Sequence, residues 1–305
     1  MMQAILNSLI LTAELGLITI GLTNSFAIAR FANISHASLV LWGTYIAFAL
    51  SVQFKLNLVL AIIIALLGAG LLAIALDMAV FKRLRERGAG GLILLVSSFA
   101  LMILLRNLLK IIWGPGTHSF PSVLQKTYVI IGGGHITQFQ ILIIGVSFAS
   151  MYGFHLLLTR TKLGRSMRAI SDNEKLAQAC GIHKEAIMNW VWLLAGILAA
   201  LGGIFLGYTQ QIHPRIGFNI ILPAFAAAIA GGIGNPYGAM LGAALIAFSQ
   251  NILLSIDWGG ILSFLGLYSG SLYINPSYKY AISFIVMIIV LLIRPSGILR
   301  GRVGD

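Results

Sequence analysis

Charged side chains are rare in this chain of 305 residues, which has 20 Lys and Arg and only 8 Asp and Glu, or 9% in all. A soluble domain carries about 25% charged residues. With a hydrophobic content of 59% and a mean hydropathy of +0.96, this deficit excludes an ordinary soluble domain and a disordered chain. The net charge of +12 could indicate a nucleic-acid partner, but the basic residues lie between long apolar runs. The composition therefore indicates a polytopic membrane protein that contacts lipid and no nucleic acid.

Catalytic and metal-binding patterns are also missing. The single cysteine, Cys180, excludes an intrachain disulfide framework and a Cys-rich metal site. The six histidines are scattered, with no second ligand at metal-binding spacing. The sequence contains no nucleophile elbow, P-loop or paired-carboxylate pattern. We therefore expect no catalytic residue, no metal and no cofactor, and the sequence disfavours an enzyme.

Carboxylates are nearly absent from the apolar runs. Glu14 is the only one well inside a predicted span, and Asp77 lies near an end, where it is expected to pair with Lys82 or Arg83. Ion-driven carriers usually hold Asp, Glu or His within the bundle, because the ion needs a ligand there. We expect Glu14 to be satisfied by a neighbouring helix. A stand-alone ion-coupled carrier or channel, which would need Glu14, stays open as the alternative function.

The long apolar runs predict membrane-spanning helices. A helix needs about 20 apolar residues to cross a bilayer, and lipid obliges each segment to satisfy its own backbone. The runs lack the alternation of barrel strands. We predict an all-α polytopic transmembrane bundle of about eight or nine spans that forms one domain over residues 1–305. The predicted spans are 9–29, 34–53, 57–80, 92–112, 139–158, 188–208, 218–233, 237–256 and 279–294.

Basic residues form three clusters, which the positive-inside rule places in the cytoplasm. Two predicted spans separate the first cluster from the second, and four separate the second from the third, so all three can lie on one side. This parity predicts a cytoplasmic C-terminus and an external loop at 257–278. Three spans before the first cluster would leave the N-terminus outside. The clusters are Lys82, Arg83, Arg85 and Arg87; Arg160, Lys162, Arg165, Arg168, Lys175 and Lys184; and Arg294, Arg300 and Arg302.

The segment 160–187 is polar but patterned, which favours an ordered cytoplasmic docking surface over a loose basic loop. A cap, an acidic first turn and an apolar face all predict a short helix. A glycine then stands where a helix would end in the left-handed conformation. These signals are Ser171 or Asp172 as the cap, Glu174 in the first turn, Leu176, Ala177 and Cys180 on one face, and Gly181 at the end.

Glycine is concentrated in residues 231–242, which read GGIGNPYGAMLG. Small residues let helices approach closely in lipid. Pro236 and the glycines also break a helix and free backbone groups that can line a cavity. The pattern fits tight packing around a turn, and it equally fits a broken segment at a transport route.

Four sets of residues, in order along nearly the whole chain, resemble the permeases of branched-chain amino-acid ABC importers of the LivH type. They are Asn33–Leu39; Thr161–Arg165 with Arg168, Ala169, Asn173, Glu174, Ala177, Gly181 and Ile182; Ile212–Phe218 with Ala224, Phe225, Gly231–Gly234, Gly238, Ala239 and Gly242; and Leu292–Leu299.

The resemblance implies a type II-like ABC importer permease without ATPase activity, set in a bacterial-type plasma (inner) membrane. Its implied partners are a related or identical second permease, two cytoplasmic ATPase subunits and an external solute-binding protein. Relatives handle branched-chain amino acids, amides or urea, so the solute stays open. A membrane scaffold that transports nothing would instead leave the 160–188 segment without a partner.

The resemblance also implies that the segment 160–187 couples the permease to the ATPase. The coupling residues are Gly164, Arg165, Arg168, Asp172, Asn173, Glu174, Ala177 and Gly181. For the translocation path, we single out polar residues and glycines near helix breaks, which can equally serve as caps and turns. They are Asn33, His36, Asn219, Gly231, Gly232, Gly234 and Asn235.

Overall fold

The computed structural model describes residues 1–121, 126–130, 133–259, 270 and 272–299. Its elements in the first half of the chain are α1 (Met2–Ala29), α2 (His36–Phe48, continued by a π-helical turn, Ala49–Gln53), α3 (Leu58–Leu76, continued by a π-helical turn, Asp77–Phe81), α4 (Lys82–Glu86) and α5 (Gly91–Trp113). The remainder are β1 (Thr127–Ile130), β2 (Gly134–Thr137), α6 (Gln138–Arg160), α7 (Lys162–Asp172), α8 (Glu174–Ala179), α9 (Lys184–Thr209), α10 (Ile216–Gly231), α11 (Pro236–Ser255), a 3₁₀ turn (Pro276–Tyr278) and α12 (Lys279–Ile293).

The all-helical membrane bundle predicted from the sequence is confirmed. Seven helices in the described part of the chain are long and apolar enough to cross a membrane, and α10 is a shorter apolar helix. Together with α2, they agree approximately with the predicted eight or nine spans. The described strands form one antiparallel hairpin, which pairs Thr127 with Thr137 and was not predicted from the sequence.

Polar residues at the edges of the apolar runs set where helices begin. The Asn57 side chain accepts the Val59 N–H at 2.9 Å at the start of α3. Thr137 and Gln140 form a reciprocal capping box at the start of α6. These side chains satisfy backbone N–H groups that have no partner within the helix. These helices therefore start where a polar residue gives way to an apolar run.

Helices α1 and α9 form the centre of the bundle. Their most apolar stretches are 83% and 78% buried, whereas those of α3, α5 and α6 are each 28% buried. Small residues let the central helices approach closely: a Cβ at Gly202 of α9 would lie 2.9 Å from the Glu14 carbonyl oxygen of α1. The less buried helices lie on the outside of the bundle.

The two ends of the bundle differ in character. At one end, which we call the hairpin face, the Gln3 side chain near the N-terminus bonds the backbone of His135 in β2, at 2.9 and 3.2 Å. At the other end, which we call the basic face, lie α4, α7 and α8, and Lys82 pairs with Glu185 at 3.3 Å. The N-terminus therefore lies opposite the basic face, as three passes before Lys82 require.

The described members of the three basic clusters lie at the basic face, as the parity predicted. Arg294 ends α12 there, beside the end of α10. Arg300 and Arg302 lie outside the described residues, as do positions 260–269 and 271 of the predicted external loop 257–278.

The ion pair predicted for Asp77 is corrected by the structure. Asp77 accepts two hydrogen bonds from Arg85, at 2.7 and 3.1 Å, rather than pairing with Lys82 or Arg83. A π-helical turn begins at Asp77 and leads into α4. This wider turn changes the helical phase, so spacing along an ideal α-helix does not identify the partner.

The close approach of α9 to α2 yields a stability prediction. A Cβ at Gly203 would overlap the Val40 carbonyl and lie 2.7 Å from Thr44 Oγ1, whereas one at Gly153 of α6 would meet no atom within 4 Å. We expect Gly203→Ala to destabilise the protein by about 1–3 kcal/mol through overpacking, although Ala is the better helix former. Gly153→Ala, the matched control, should leave the thermal midpoint in detergent unchanged or raise it. Equal midpoints for the two variants would contradict this packing.

Candidate functional site

Helix α7 is the amphipathic first half of the predicted coupling segment. Its Thr161 cap accepts the Gly164 N–H at 3.0 Å, and Met167 and Ile170 are buried against the bundle. Gly164 packs directly on the backbone of Leu158, where a Cβ would overlap. Among the predicted coupling residues, Arg165 and Asp172 are exposed and Arg168 is half-buried. The helix therefore lies flat on the bundle and turns charged groups outward.

Helix α8 follows after a single extended residue, Asn173, which caps it by accepting the Leu176 N–H at 3.0 Å. The predicted caps, Ser171 and Asp172, are corrected: both belong to α7, because the segment contains two helices rather than one. Glu174 lies in the first turn of α8, as predicted, and pairs with Lys184 at 2.7 Å. This ion pair ties the start of α8 to the start of α9.

The predicted left-handed end at Gly181 is confirmed. Gly181 has φ +85°, its N–H bonds the Gln178 carbonyl at 2.9 Å, and the Ile182 N–H bonds the Ala177 carbonyl at 3.1 Å. This pair of bonds is the Schellman arrangement, which satisfies the last carbonyls of a helix. The end of α8 is thus fixed by its own backbone.

The predicted apolar face of α8 is divided between interior and surface. Ala177 is buried, whereas Leu176 is 61% exposed and Cys180 is also exposed. The reason is the length of α8, which spans only Glu174–Ala179, so a single residue of this face reaches the bundle. An exposed leucine therefore stands at the basic face beside charged side chains.

The coupling segment is attached to the end of α1. Ser171 Oγ donates to the Ala27 carbonyl at 3.2 Å, and the Arg30 guanidinium donates to the Ser171 carbonyl at 3.2 Å. Arg30 itself has φ 56°, a left-handed conformation that is uncommon outside glycine. A movement of α7 would thus act directly on the residue that ends α1.

The predicted glycine break lies at the basic face beside α7. A cavity of about 100 Å³ is lined by Arg168 and Ser171 of α7 and by Gly234 and Asn235 of the break. The Asn235 side chain caps α11 by accepting the N–H groups of Tyr237 and Gly238, at 3.0 and 3.3 Å. Asn235 therefore has the capping role that the sequence left open.

The end of the described chain docks on the same break. The Ile298 and Leu299 N–H groups donate to the carbonyls of Ala230 and Gly231, at 2.8 and 3.0 Å. Gly297 lies against Gly232, with a Cβ position 2.6 Å from the Gly232 Cα. Two motifs that are far apart in the sequence thus form one structural unit.

The segment between α1 and α2 turns back into the bundle. The first residue of α2, His36, has its Nε2 3.0 Å from the Ile18 carbonyl in the middle of α1. Since α1 continues for about 16 Å beyond Ile18, to Ala29, α2 begins deep in the interior. Ser35 Oγ donates to Asn33 Oδ1 at 2.6 Å. In the described structure, Asn33 Nδ2 and His36 Nδ1 are buried without a hydrogen-bond partner.

The start of α10 meets the start of α2. Gly217 contacts the Ala37 carbonyl, and a Cβ there would lie 2.9 Å from Leu41 Cδ1. Asn219 is half-buried in this first turn of α10, about 18 Å along the helix from Gly231. The structure therefore divides the predicted path residues into two groups. Asn33, His36 and Asn219 belong to the interior helix starts, and Gly231, Gly232, Gly234 and Asn235 belong to the basic face.

The turn that leads into α10 is held by His213. Its Nδ1 accepts the Arg215 N–H at 3.2 Å. Burial and the nearby Arg215 guanidinium both lower the pKa of His213, which favours the neutral ring that this hydrogen bond requires. His213 thus acts as a structural acceptor in the loop.

Sequence reasoning missed a polar cavity at the hairpin face. Glu14 and Lys279 both line it, together with four residues that carry side-chain amides. Glu14 accepts a hydrogen bond from Thr209 Oγ1 of α9 at 2.7 Å, so a neighbouring helix provides one partner, as expected. One sequence pattern could have predicted part of this lining. Asn7, Ile10, Leu11 and Glu14 have the i, i+3, i+4, i+7 spacing that places residues on one face of a helix.

A helical membrane bundle with an ordered amphipathic segment at its basic face has the architecture of a membrane transport subunit. The chain matches the family "Branched-chain amino acid transport system / permease component" over residues 4–291, and it belongs to this family. It is therefore a permease subunit of the ABC type and not an enzyme.

Curated relatives cover nearly the whole chain. It is 30% identical to the high-affinity branched-chain amino acid transport system permease protein BraD of Pseudomonas aeruginosa, over 98% of this chain and 95% of the relative. It is 27% identical to the LivH permease protein of Escherichia coli K12 over the same shares. A ribose import permease protein, RbsC of Haemophilus influenzae, is 27% identical over 83% of this chain and 78% of its own.

Proposed function

We propose that this chain imports branched-chain amino acids across a bacterial-type inner membrane, as one permease of an assembly driven by separate ATPase subunits. The assembly would contain a related or identical second permease, two cytoplasmic ATPase subunits and an external solute-binding protein. The names of the near full-length relatives support this solute class. The ribose permease among the relatives shows that solutes vary within the wider group.

The observation that carries the proposal is the ordered segment of α7 and α8 at the basic face. A loop that only contacted lipid headgroups would not need two capped helices, a left-handed glycine end and an exposed leucine. Such a surface, with an apolar side chain among charges, is suited to a protein groove. We assign Gly164, Arg165, Arg168, Asp172, Asn173, Glu174, Ala177 and Gly181 to this docking segment.

The route from docking to transport runs through Arg30. ATP-driven movement of α7 would be carried by the Ser171 contacts to the end of α1. The next residues lead directly to Asn33 and His36, at the interior start of α2. Discontinuous helices that begin within a bundle are a recurring feature of transport sites. We therefore assign Asn33, His36 and Asn219 to the path, and Gly231, Gly232, Gly234 and Asn235 to a hinge beside the docking segment.

Co-purification tests the assembly. From native membrane in mild detergent, we expect the tagged chain to recover ABC-type ATPase subunits, and the reconstituted assembly with its solute-binding protein to take up leucine only with ATP. A variant in which the order of residues 174–181 is scrambled should lose the ATPase subunits and keep the membrane domain folded. Recovery of the intact chain alone, with uptake independent of ATP, would overturn the proposal and favour the ion-coupled carrier.

Gly181 offers a test of coupling. A Cβ at Gly181 would meet nothing within 4 Å, so a substitution acts through its φ of +85° alone. A left-handed residue costs about 1–2 kcal/mol outside glycine, and more for a β-branched one, whereas Asn tolerates this region. We expect Gly181→Val to raise the ATP hydrolysed per leucine imported at least threefold, and Gly181→Asn to stay near wild type. Wild-type stoichiometry for Gly181→Val would contradict a role in coupling.

Orientation can be read from the single cysteine. Cys180 is exposed at the basic face, which we place in the cytoplasm together with the C-terminus. In cells that lack the ATPase subunits, which would otherwise cover this segment, we expect a membrane-impermeant maleimide to label Cys180 in inside-out vesicles and to leave it unlabelled in intact spheroplasts. The control is the double variant Cys180→Ser, Lys126→Cys, whose cysteine lies at the hairpin face and should show the reverse pattern. Labelling of Cys180 from outside would overturn the assigned orientation.

A further inference from the structure

We propose that the polar cavity at the hairpin face is a receiving site for a zwitterionic amino acid, in which Glu14 binds the α-ammonium group and Lys279 binds the α-carboxylate. The inference rests on the proposed function for the direction of transport and the solute class. It adds a binding site that includes neither the docking segment nor the predicted path residues.

The cavity lies among the ends of several helices. Its volume is about 260 Å³, far above the roughly 10–15 Å³ that a single water molecule needs on the same measure. This is enough for a free amino acid. Glu14 lies about 16 Å along α1 from Gln3, and the cavity extends from Glu14 to the exposed residues Asn7 and Gln210.

Glu14 is positioned to bind a cation. Its side chain is buried, and one oxygen accepts the Thr209 hydroxyl at 2.7 Å. Among the described residues, its second oxygen accepts no hydrogen bond, and Glu14 is one of the residues that line the cavity. A buried carboxylate is costly unless it is paired. A ligand ammonium group would supply that partner.

Lys279 supplies the opposite charge at the same cavity. It is the first residue of α12 and is partly exposed. No described carboxylate lies within 4.0 Å of its ammonium group, Glu14 included. Two opposite charges that share a cavity without pairing leave room for a molecule that carries both charges.

The remaining lining provides hydrogen bonds and an apolar wall. Asn251 donates through Nδ2 to the Ala247 carbonyl at 3.1 Å, which leaves its Oδ1 as an acceptor. Gln140 uses Oε1 in the capping box of α6, which leaves its Nε2 as a donor. Ile10 and Leu11 line the cavity from α1 and can contact an aliphatic side chain. Small-molecule sites usually combine an apolar wall with a few positioned polar groups.

Equilibrium binding tests the site directly. We would titrate the purified permease–ATPase complex, without solute-binding protein, with labelled leucine, and compete with leucinamide and 4-methylpentanoate. Leucinamide lacks the carboxylate, and 4-methylpentanoate lacks the ammonium group. Leucine should bind at least tenfold more tightly than either, since a charged hydrogen bond contributes about 1.5–3 kcal/mol and 1.4 kcal/mol is tenfold.

Each variant should lose the preference for one of the two charged groups of leucine. In Glu14→Gln, leucine should bind no better than 4-methylpentanoate, and in Lys279→Met, no better than leucinamide. The matched controls are Glu86→Gln, exposed at the basic face, and Lys126→Met, exposed at the hairpin face outside the cavity. Both controls should keep the wild-type order. Recovery of the ATPase subunits with each variant verifies that the complex is intact.

The outcomes separate this inference from the proposed function. An equal loss of all three ligands in both variants would mark the two residues as structural and overturn the site. The site would also be overturned if the wild-type complex took up leucine with ATP but showed no saturable leucine binding. The proposed function would stand in that case. Charge-selective binding in a complex that imports no amino acid with ATP would support the site and overturn the proposed function.

Discussion

The close approach of α1 and α9 is the constraint on which the rest of the structure depends. In lipid, no hydrophobic driving force holds helices together, so packing must supply it, and small residues permit backbones to meet. Gly21 of α1 lies against the Ala195 carbonyl of α9, and Gly202 of α9 lies against the Glu14 carbonyl of α1. The other elements are arranged around this buried pair. Without it, the interior start of α2 and the Glu14 cavity would lose the walls that define them.

Two helices begin inside the bundle instead of at its ends. α2 begins beside the middle of α1, and α10 begins against the first turns of α2. Backbone that leaves a helix at membrane depth must be covered by protein or line a cavity. Burial of the segment before α2 meets that requirement, yet it leaves polar atoms of Asn33 and His36 without described partners. Such groups cost about 1–3 kcal/mol each.

The basic face gathers elements that meet only in three dimensions. The docking helices, the end of α1, the glycine break and the last described turn of the chain contact one another there. The scarcity of charge within the membrane fits this arrangement, because energy delivered mechanically at one face does not require ionisable relays in the interior. The hairpin face, by contrast, holds a cavity that is lined by both Glu14 and Lys279. The two faces thus differ in chemistry: helix ends and basic side chains meet at one, and a cavity lined by both charge signs lies at the other.

The sequence by itself determined the class of fold, because apolar length and the distribution of basic residues decide how a chain lies in a membrane. It also determined the left-handed end at Gly181 and the acidic start of α8, since both follow from local backbone and capping rules. The tertiary structure alone decided that α2 begins in the interior, because a polar segment such as Asn33–His36 is equally expected before a helix that starts at the membrane surface. It alone decided that Asp77 pairs with Arg85, through a π-helical turn with no sequence signature. It alone placed Glu14 and Lys279 in one cavity, because residues 265 positions apart in the chain are brought together only by helix packing.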